Sequence, residues 1–558
     1  MNDFRSPVDD ILFTLEHGAD AARLPDWDPD LAAEIVGHAA RFIDERIAPL
    51  DPLGDGEGAR LESGRARLPA PFVAAYRDYA AAGWPGLTAP EAYGGQSQPE
   101  VLGGVVSELL SGACVGLQTL LSLGQGSART LLRHGSDHQK ARYLPRLVSG
   151  EWLATMCLTE PAAGSDLGRI STVATPEGDG WRLSGTKIFI TGGDQNLTDN
   201  ILHLVLARTA GAPAGVKGLA LFLCPAVLED GSRNAVAVMR LEEKMGLHAS
   251  PTCQLAFDGA QAEILGAPGE GLARMFTMMN ATRLDVGLQG VGLAEAASQR
   301  AWRYAAERVQ GRSGRSGESA DPIFRHGDVQ RMLLHQQALT AGCRALSYRT
   351  AVDLTLGDQP ALIEFLTPVC KAFCTDSALL AANLALQVHG GYGYTREYRV
   401  EQVLRDTRIT LIYEGTNGIQ SMTLAGRLLH AANGACVAAF EEEIGRQIAA
   451  IQAADHDAMA QAVTIALEQW RRATNVLLSA ADPAPVAEAY LRLTGLVAFG
   501  AVWGLMERGF AATANPPRWQ ALADFVRLRL LPETAWLAEV ISNGDQYAPA
   551  AEEVFSGA

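Results

Sequence analysis

Three short segments carry residues whose types and spacing are suited to chemistry. Leu158–Asp166 reads LTEPAAGSD, and its small residues leave backbone N–H groups free to face an anion. Gln387–Gly393 reads QVHGGYG, and its glycines permit positive φ angles or the close approach of a ligand. Ile412–Gln420 reads IYEGTNGIQ and places an acid, Glu414, between apolar residues and a glycine.

Glu414 is the candidate general base of the third segment. Its apolar neighbours predict a partly desolvated carboxylate, and burial raises the pKa of a carboxyl group toward the range useful to a base. Asn417 and Gln420 resemble a capping box that begins the next helix. Taken singly, the three segments have ordinary structural alternatives, namely a Gly-Ser turn, a glycine helix cap and an acidic surface loop.

The composition of the chain limits the kinds of partner that it is expected to bind. The chain has 558 residues, which predicts three to four domains at roughly 150 residues each, and its formal net charge is −17. This acidity argues against a nucleic acid or an anionic membrane as the main partner. The start of the chain lacks the apolar region of a signal peptide, and the longest strongly apolar run, 493–506, predicts a buried helix. We therefore predict a cytoplasmic protein with no membrane span.

The eight cysteines are scattered along the chain, which argues against a disulfide scaffold and favours buried thiols. Cys370 and Cys374 lie one helical turn apart, and a redox or metal role is the alternative for this pair. No neighbouring set of histidines and cysteines completes a zinc site, so no metal is predicted.

The elements that must position these residues change in type along the chain. Helical periodicity is predicted over 30–50, 71–82, 99–149, 271–309, 328–356, 360–388, 396–405, 441–454 and 458–480, with a further helix beginning near 417. Strands are predicted over 151–159, 201–208, 217–224 and 252–257, and as a pair around a turn at Ser184-Gly185 within 181–191. Loops are predicted over 54–70 and 311–321. Because the strands cluster and do not alternate with helices, a doubly wound nucleotide fold is not expected.

Taken together and in order, the motifs resemble the flavin-dependent acyl-coenzyme A dehydrogenase family. The resemblance covers about 130–430 and includes the stretches HG 134–135, YLP 143–145, LTEPAAGSD 158–166, GTKIFITG 185–192, KMG 244–246, QVHGGYG 387–393, RDT 405–407 and YEGT 413–416. The family's fold implies an α+β multidomain protein that is mainly α. Its domains would be an N-terminal helical domain (1–155), a middle β-barrel-like domain (156–268), a four-helix bundle (269–436) and an additional C-terminal helical domain (437–558). The last is similar to the larger subgroup that includes long-chain and 3-methylmercaptopropionyl-CoA dehydrogenases.

The resemblance also implies roles for single residues. Thr191 would lie near flavin N5, and Arg308 would reach the FAD of a partner subunit. Many family members have Trp where this chain has Phe189, which keeps an aromatic wall but loses the indole N–H. The FAD-binding set is Met156, Leu158, Thr159, Gly164, Ser165, Phe189, Ile190, Thr191, Arg308, Gln387, Gly390, Gly391 and Thr416. The substrate-binding set is Ser165, Asn280, Arg283, Tyr413 and Gly415, with an exposed helix arginine as the alternative for Arg283.

The implied reaction is the α,β-dehydrogenation of an acyl-CoA thioester to the trans-2-enoyl-CoA. Glu414 would take the α-proton, and FAD N5 would accept the β-hydride. The resemblance implies a fatty acyl-CoA or 3-methylmercaptopropionyl-CoA as substrate, an electron-transfer flavoprotein or similar acceptor, and a homodimer. The alternatives are an acyl-CoA oxidase, a non-catalytic FAD-binding relative associated with DNA, and a purely structural helical protein.

Overall fold

The computed structural model describes residues 4–314, 319–544 and 554, so 315–318 of the predicted loop over 311–321 lie outside the described residues. The chain divides into two compact units. One, here called the β unit, contains Phe42–Gln98 and Ala113–Thr282. The other, the bundle unit, contains Asp3–Arg41, Pro99–Gly112 and Arg283–Ala558.

The chain is mainly helical, as predicted. The helices are α1 (Val8–Phe13), α2 (Pro29–Phe42), α3 (Leu50–Glu57), α4 (Ala70–Ala81), α5 (Glu100–His134), α6 (Asp137–Val148), α7 (Gly271–Glu307), α8 (Gly327–Leu356), α9 (Pro360–His389), α10 (Val400–Arg408), α11 (Asn417–Met422), α12 (Ala435–Gln452), α13 (Asp457–Ser479), α14 (Ala487–Glu507), α15 (Pro516–Phe525) and α16 (Glu533–Ser542). The strands are β1 (Arg60–Glu62), β2 (Arg65–Arg67), β3 (Trp152–Cys157), β4 (Val173–Glu177), β5 (Gly180–Thr191), β6 (Asn200–Thr209), β7 (Leu219–Pro225), β8 (Val236–Leu241) and β9 (Thr252–Leu265).

Seven strands of the β unit form one sheet. The pairings β6–β4, β4–β5, β5–β9, β9–β7 and β7–β6 close into a ring. β3 joins β6 in parallel, and β8 joins β9. The core inside this sheet is apolar, with Leu183, Val205, Phe222 and Leu255 among its buried side chains. The barrel-like shape expected for this region stays a prediction.

Sequence patterns misjudged two parts of the β unit. The predicted loop over 54–70 contains the end of α3 and the hairpin β1–β2. The predicted turn at Ser184-Gly185 is wrong, because β5 runs on through it and its pairing with β9 shifts register between Leu183 and Ser184. A Cβ at Gly185 would lie 2.5 Å from Oγ1 of Thr172. Gly185 therefore lies inside a strand, where the absence of a side chain lets the segment around Thr172 approach closely.

The C-terminal helices α12–α14 pack on the bundle helices α8 and α9. The ring of Phe440 on α12 lies 5.2 Å from that of Phe365 on α9 and 4.9 Å from that of Trp470 on α13, measured between ring centroids. A Cβ at Gly495 on α14 would collide with the ring of Phe373 on α9. The segment after residue 434 therefore shares its apolar core with the bundle.

Among the residues that the structure describes, three helical segments are long and apolar enough to cross a membrane, judged by length and composition alone: Glu100–His134, Pro360–Tyr394 and Ala484–Glu507. The apolar window of each is largely buried inside the protein, by 89%, 72% and 94% respectively. The predicted buried helix over 493–506 lies within α14, and all its residues are buried. The absence of a membrane span stays a prediction. All eight cysteines are buried thiols, as predicted.

Two glycine substitutions in the C-terminal helices have opposite expected effects. Gly495→Ala should destabilise the fold by about 1–3 kcal/mol, because its methyl group overlaps the ring of Phe373. Gly445→Ala on α12 is the matched control, since a Cβ there meets no atom within 4 Å. It should stabilise the fold by about 0.5–1 kcal/mol through helix propensity. Urea denaturation of both variants measures the difference, and equal stabilities would contradict the close packing of α14 on α9.

Candidate active site

The loop between α10 and α11 holds Glu414 in an uncommon backbone conformation. Its φ angle is +57°, in the left-handed region, and its side chain is half-buried. Gly415 follows with φ of +86°, and a Cβ there would lie 2.6 Å from Nε2 of Gln420. That buried amide donates to the carbonyl oxygens of Glu414 (3.2 Å) and Gly415 (3.3 Å). Gln420 thus holds both left-handed residues, and backbone strain of this kind clusters at functional sites.

Thr416 begins α11. Its hydroxyl accepts a hydrogen bond from the backbone N–H of Ile419 at 3.2 Å. The capping box predicted for Asn417 and Gln420 is therefore wrong. Gln420 binds the loop carbonyls, and Oδ1 of Asn417 accepts a hydrogen bond from Nζ of Lys371 at 2.7 Å.

Two buried cations interact with Glu414. Arg283 on α7 is 6% exposed and Lys371 on α9 is fully buried. Burial lowers the pKa of Arg283, and the charge of Glu414 opposes this effect. Burial also lowers the pKa of Lys371, to about 7, although Asp376 and Glu414 oppose it. Both cations favour the ionised carboxylate, so they work against the predicted rise in the pKa of Glu414. An exposed Arg283, the alternative drawn from the sequence, is wrong.

The close approach of α7 and α9 brings both cations to the same loop. A Cβ at Gly287 would lie 3.0 Å from the carbonyl oxygen of Cys370, and one at Gly290 would lie 3.0 Å from that of Cys374. Larger side chains at these two positions would push the helices apart. The two glycines therefore help to set the spacing of the charges behind the loop.

Tyr413 attaches the loop to α7. Its hydroxyl donates a hydrogen bond to Oε1 of Gln289. Burial raises the pKa of this phenol well above its usual value, and the carboxylates of Asp285, Glu414 and Asp406 raise it further. The hydroxyl therefore stays protonated and remains a donor at neutral pH.

In the β unit, a buried ion pair anchors the segment predicted to face the flavin. Nζ of Lys187 donates to Oε1 of Glu160 (2.8 Å) and to the carbonyl oxygen of Leu158 (2.8 Å). Glu160 also accepts hydrogen bonds from residues 171 and 172. Burial alone would raise the pKa of Glu160, but the charge of Lys187 and these hydrogen bonds lower it to about 2. The carboxylate is therefore ionised at all ordinary pH values.

The anchored chain then turns and exposes its backbone. Glu160 and Ala163 exchange backbone hydrogen bonds of 3.0 Å, and Gly164 and Ser165 are exposed beyond them. Along the strand before the turn, Met156 is half-buried. This exposed glycine–serine backbone is the kind of surface that binds an anion.

The second predicted flavin segment lies beside the first. The backbone N–H of Ile188 donates to the carbonyl oxygen of Thr159 at 2.9 Å. Phe189 follows with φ of +59° and 59% of its surface exposed. It lies at a register shift between β5 and β9, and such bulges re-aim side chains. Ile190 is buried and Thr191 is half-buried. The β unit thus brings both predicted segments together.

The remaining predicted FAD residues lie in the bundle unit. Gln387, Gly390 and Gly391 are exposed, and Gly390 has φ of +60°. The guanidinium of Arg308 lies 5.6 Å from the ring centroid of Tyr392, in the 3₁₀ turn that begins at Gly390. The sequence analysis did not identify Tyr392 as a contact of Arg308, although a tyrosine within a glycine-rich turn is a recognisable pattern.

The predicted substrate residues fall into two groups. Arg283, Tyr413 and Gly415 lie around Glu414 in the bundle unit, and Ser165 and Asn280 are exposed residues of the β unit. The sequence analysis missed three side chains that support the loop from within the bundle unit, namely Gln289, Lys371 and Asp376, and it gave Asn417 and Gln420 a different role as a capping box. The sequence did contain a signal for Lys371, because it is the single charged residue within the apolar run VCKAFC of α9.

Within the described part of the chain, no group of three or more His, Cys, Asp or Glu side chains is placed to hold a metal ion. The Glu414 loop offers a half-buried carboxyl group on a backbone that hydrogen bonds hold in place, which is an arrangement that suits a general base.

Family models match most of the chain. The acyl-CoA dehydrogenase N-terminal, middle and C-terminal domain models match residues 31–151, 155–260 and 269–429. The chain is 40% identical over 546 residues to a 3-methylmercaptopropionyl-CoA dehydrogenase of Ruegeria pomeroyi, covering 92% of each protein. It is 33% identical to the broad-specificity linear acyl-CoA dehydrogenase FadE5 of Mycobacterium tuberculosis, covering 75% of this chain and 74% of that protein.

The fold has a full-length counterpart among solved structures. ACDH-11 of Caenorhabditis elegans, in complex with C11-CoA, matches with a TM-score of 0.81 at 21% identity, over 98% of this chain and 95% of that one. The chain belongs to the acyl-CoA dehydrogenase family and is an oxidoreductase.

Glu160→Gln should destabilise the β unit by about 3–5 kcal/mol, because it leaves the buried ammonium of Lys187 without a counter-charge. Since the pKa of Glu160 is lowered on folding, its contribution is present above the ordinary value of 4.5 and is lost as pH falls toward about 2. Urea denaturation between pH 3 and pH 7 measures both effects.

The matched control for this variant is Glu177→Gln, which removes a surface partner of Arg182 in the same sheet. It should cost less than about 1 kcal/mol. If the two variants lost equal stability, the buried pair would not be the anchor described above.

Phe189→Gly should be more stable than Phe189→Ala by about 1 kcal/mol, because only glycine adopts the left-handed conformation without a steric penalty. Both variants lose the exposed ring, so any loss of bound flavin should be the same in both. Thermal unfolding and the flavin absorbance of the purified variants separate backbone strain from ring contact. Equal stability of the two variants would show that position 189 is not strained.

Proposed function

We propose that this chain catalyses the FAD-dependent α,β-dehydrogenation of an acyl-CoA thioester to the trans-2-enoyl-CoA, with Glu414 as the catalytic base. One observation carries the proposal: the half-buried Glu414 has a left-handed backbone and interacts electrostatically with two buried basic side chains, Arg283 and Lys371. Membership of the acyl-CoA dehydrogenase family supports the reaction class.

The chemistry of Glu414 follows from its surroundings. The α-hydrogen of a thioester is weakly acidic and becomes removable when hydrogen-bond donors hold the carbonyl oxygen. The family resemblance implies that the backbone N–H of Glu414 is one such donor. The carboxylate then takes the α-proton. The charge of Arg283, and that of Lys371 below its pKa of about 7, favours the ionised form that accepts the proton.

The β unit presents groups that fit FAD. The exposed backbone at Gly164 and Ser165 offers N–H groups to a pyrophosphate, and the exposed ring of Phe189 offers an aromatic face. The carbonyl oxygen of Thr159 accepts a hydrogen bond from the backbone N–H of Ile188, the residue before Phe189. FAD, when bound, supplies the acceptor for the electron pair that leaves with the β-hydrogen.

For the substrate we propose 3-methylmercaptopropionyl-CoA ahead of a linear fatty acyl-CoA. The support is the 40% identity to a 3-methylmercaptopropionyl-CoA dehydrogenase, which extends over 92% of both chains. Anaerobic bleaching of the flavin absorbance by a panel of short, long, branched and methylthio-substituted thioesters tests this choice. A faster reaction with an unsubstituted long chain would refute it.

The proposed electron acceptor is an electron-transfer flavoprotein or a similar carrier, and the proposed assembly is a homodimer in which Arg308 reaches the partner's FAD. Rapid peroxide formation in air would point to an acyl-CoA oxidase. Mass measurement in solution tests the dimer, and Arg308→Met should lower the FAD content if the arginine binds the cofactor.

Glu414→Gln should retain bound FAD and lower turnover by a factor of about 10² to 10⁴, because the amide cannot accept the α-proton. Stopped-flow reduction of the flavin by the best thioester measures the chemical step. Glu397→Gln, which changes an exposed acid ahead of α10, is the matched control and should react at the wild-type rate. A Glu414→Gln enzyme with normal flavin reduction would exclude Glu414 as the base.

A further inference from the structure

Buried and half-buried polar side chains join α9 to the first residue of α11. Nζ of Lys371 donates to Oδ1 of Asn417 at 2.7 Å. Nδ2 of Asn417 donates to Oδ1 of Asp376 at 2.8 Å and contacts Oγ1 of Thr375 at 3.1 Å. Asn417 is three residues after Glu414, at the end of the Glu414 loop. Side chains of α9 bind both the oxygen and the nitrogen of its amide group, so α9 fixes this end of the loop.

The stability of the fold alone does not explain why a lysine occupies the buried position 371. Its side chain is fully buried, and its hydrogen-bond acceptor is the neutral amide of Asn417. An ammonium group in such a place loses its hydration, and apolar replacement of buried charges is often neutral or stabilising. The charged groups that interact electrostatically with Lys371 are Asp376, Glu414 and Arg283. Two of them, Glu414 and Arg283, belong to the candidate active site.

The added C-terminal helices reach the same cluster. Burial raises the pKa of Asp376, and the hydrogen bond from Asn417 and the charge of Arg492 on α14 partly oppose this rise, while Glu488 adds to it. Arg492 is itself held by both carboxylate oxygens of Glu533, with Nη2 to Oε2 at 2.9 Å. α14 packs against both α9 and α11. A cation from the C-terminal segment therefore offsets part of the cost of burying the carboxylate that binds Asn417.

We propose that Lys371 and Asn417 are positioning residues that clamp the Glu414 loop to α9, and that the C-terminal helices support this clamp through Arg492 and Asp376. The inference rests on the proposed function, since it takes Glu414 as the base. Lys371 contributes in two ways: its hydrogen bond to Asn417 fixes the end of the loop, and its charge favours the ionised form of Glu414.

Two variants separate the hydrogen bond from the charge. Lys371→Met removes both, whereas Asn417→Ala removes the clamp and keeps the ammonium. Each should lower kcat by about 10-fold to 100-fold with KM within 3-fold of wild type, since a base displaced by about 1 Å loses about that much rate. Only Lys371→Met should also shift the acid limb of the kcat profile upward, by about one pH unit, because the cation that favours ionised Glu414 is gone.

Rates are measured as flavin reduction by the best thioester between pH 5 and pH 9, on holoenzyme with its FAD content checked by absorbance. Wild-type enzyme and Glu414→Gln are run beside the variants. If wild type does not turn over, or if Glu414→Gln matches it, the proposed function fails. If wild type turns over and both Lys371→Met and Asn417→Ala keep kcat within 2-fold, only the clamp fails. A raised KM at unchanged kcat also overturns it.

The C-terminal support is tested with a matched pair of arginines. Arg492→Met should lower kcat by about 3-fold to 10-fold, because Asp376 loses its neighbouring cation. Arg471→Met removes a surface ion pair with Glu441 in the same added helices, 2.7 Å long, and should leave kcat unchanged. Equal effects of the two variants would show that the C-terminal helices act only through general stability. This pair also keeps the inference testable if Lys371→Met does not fold.

Discussion

A carboxylate in a half-buried site can accept protons only if neighbouring charges keep it ionised and the backbone keeps it in place. For Glu414, the charge of buried Arg283 contributes to the first requirement, and so does that of Lys371 below its pKa of about 7. The amide of Gln420 meets the second by binding two consecutive carbonyl oxygens of a left-handed turn. Much of the bundle unit is arranged to satisfy these conditions, since α7 and α9 must approach closely enough, at glycines, for both cations to reach one loop.

The β unit contains a second buried pair of charged residues, which fixes the backbone beside a predicted cofactor segment. Lys187 and Glu160 are buried together and fix the end of β3, so that the turn beyond it can expose its backbone without losing its position. Phe189 is held in a left-handed conformation at a bulge of β5. In each unit a residue with proposed chemistry sits on strained backbone that buried hydrogen bonds maintain, which is the expected pattern for preorganised sites.

Sequence patterns predicted the long elements well, because the periodicity of buried side chains is local. The helix predicted over 271–309 is α7 (Gly271–Glu307), and the motif around Glu414 was found from neighbouring residues alone. Ser184-Gly185 was misjudged because the same dipeptide suits a turn or a bulge, and the approach of Thr172 decides between them. The contact of Lys371 with Asn417 joins residues 46 positions apart, so no local pattern contains it.

The glycines of α8 and α14 make the C-terminal segment inseparable from the bundle. A side chain at Gly342 would collide with Phe499, just as one at Gly495 would collide with Phe373. Gly342 on α8 receives a ring from α14, and Gly495 on α14 receives a ring from α9. A shortened chain ending near residue 434 would therefore leave an unfilled groove on α8 and a bare phenyl ring on α9. Shortening a protein of this kind would require redesign of the newly bared surface, because deletion at a domain boundary would not yield a working smaller enzyme.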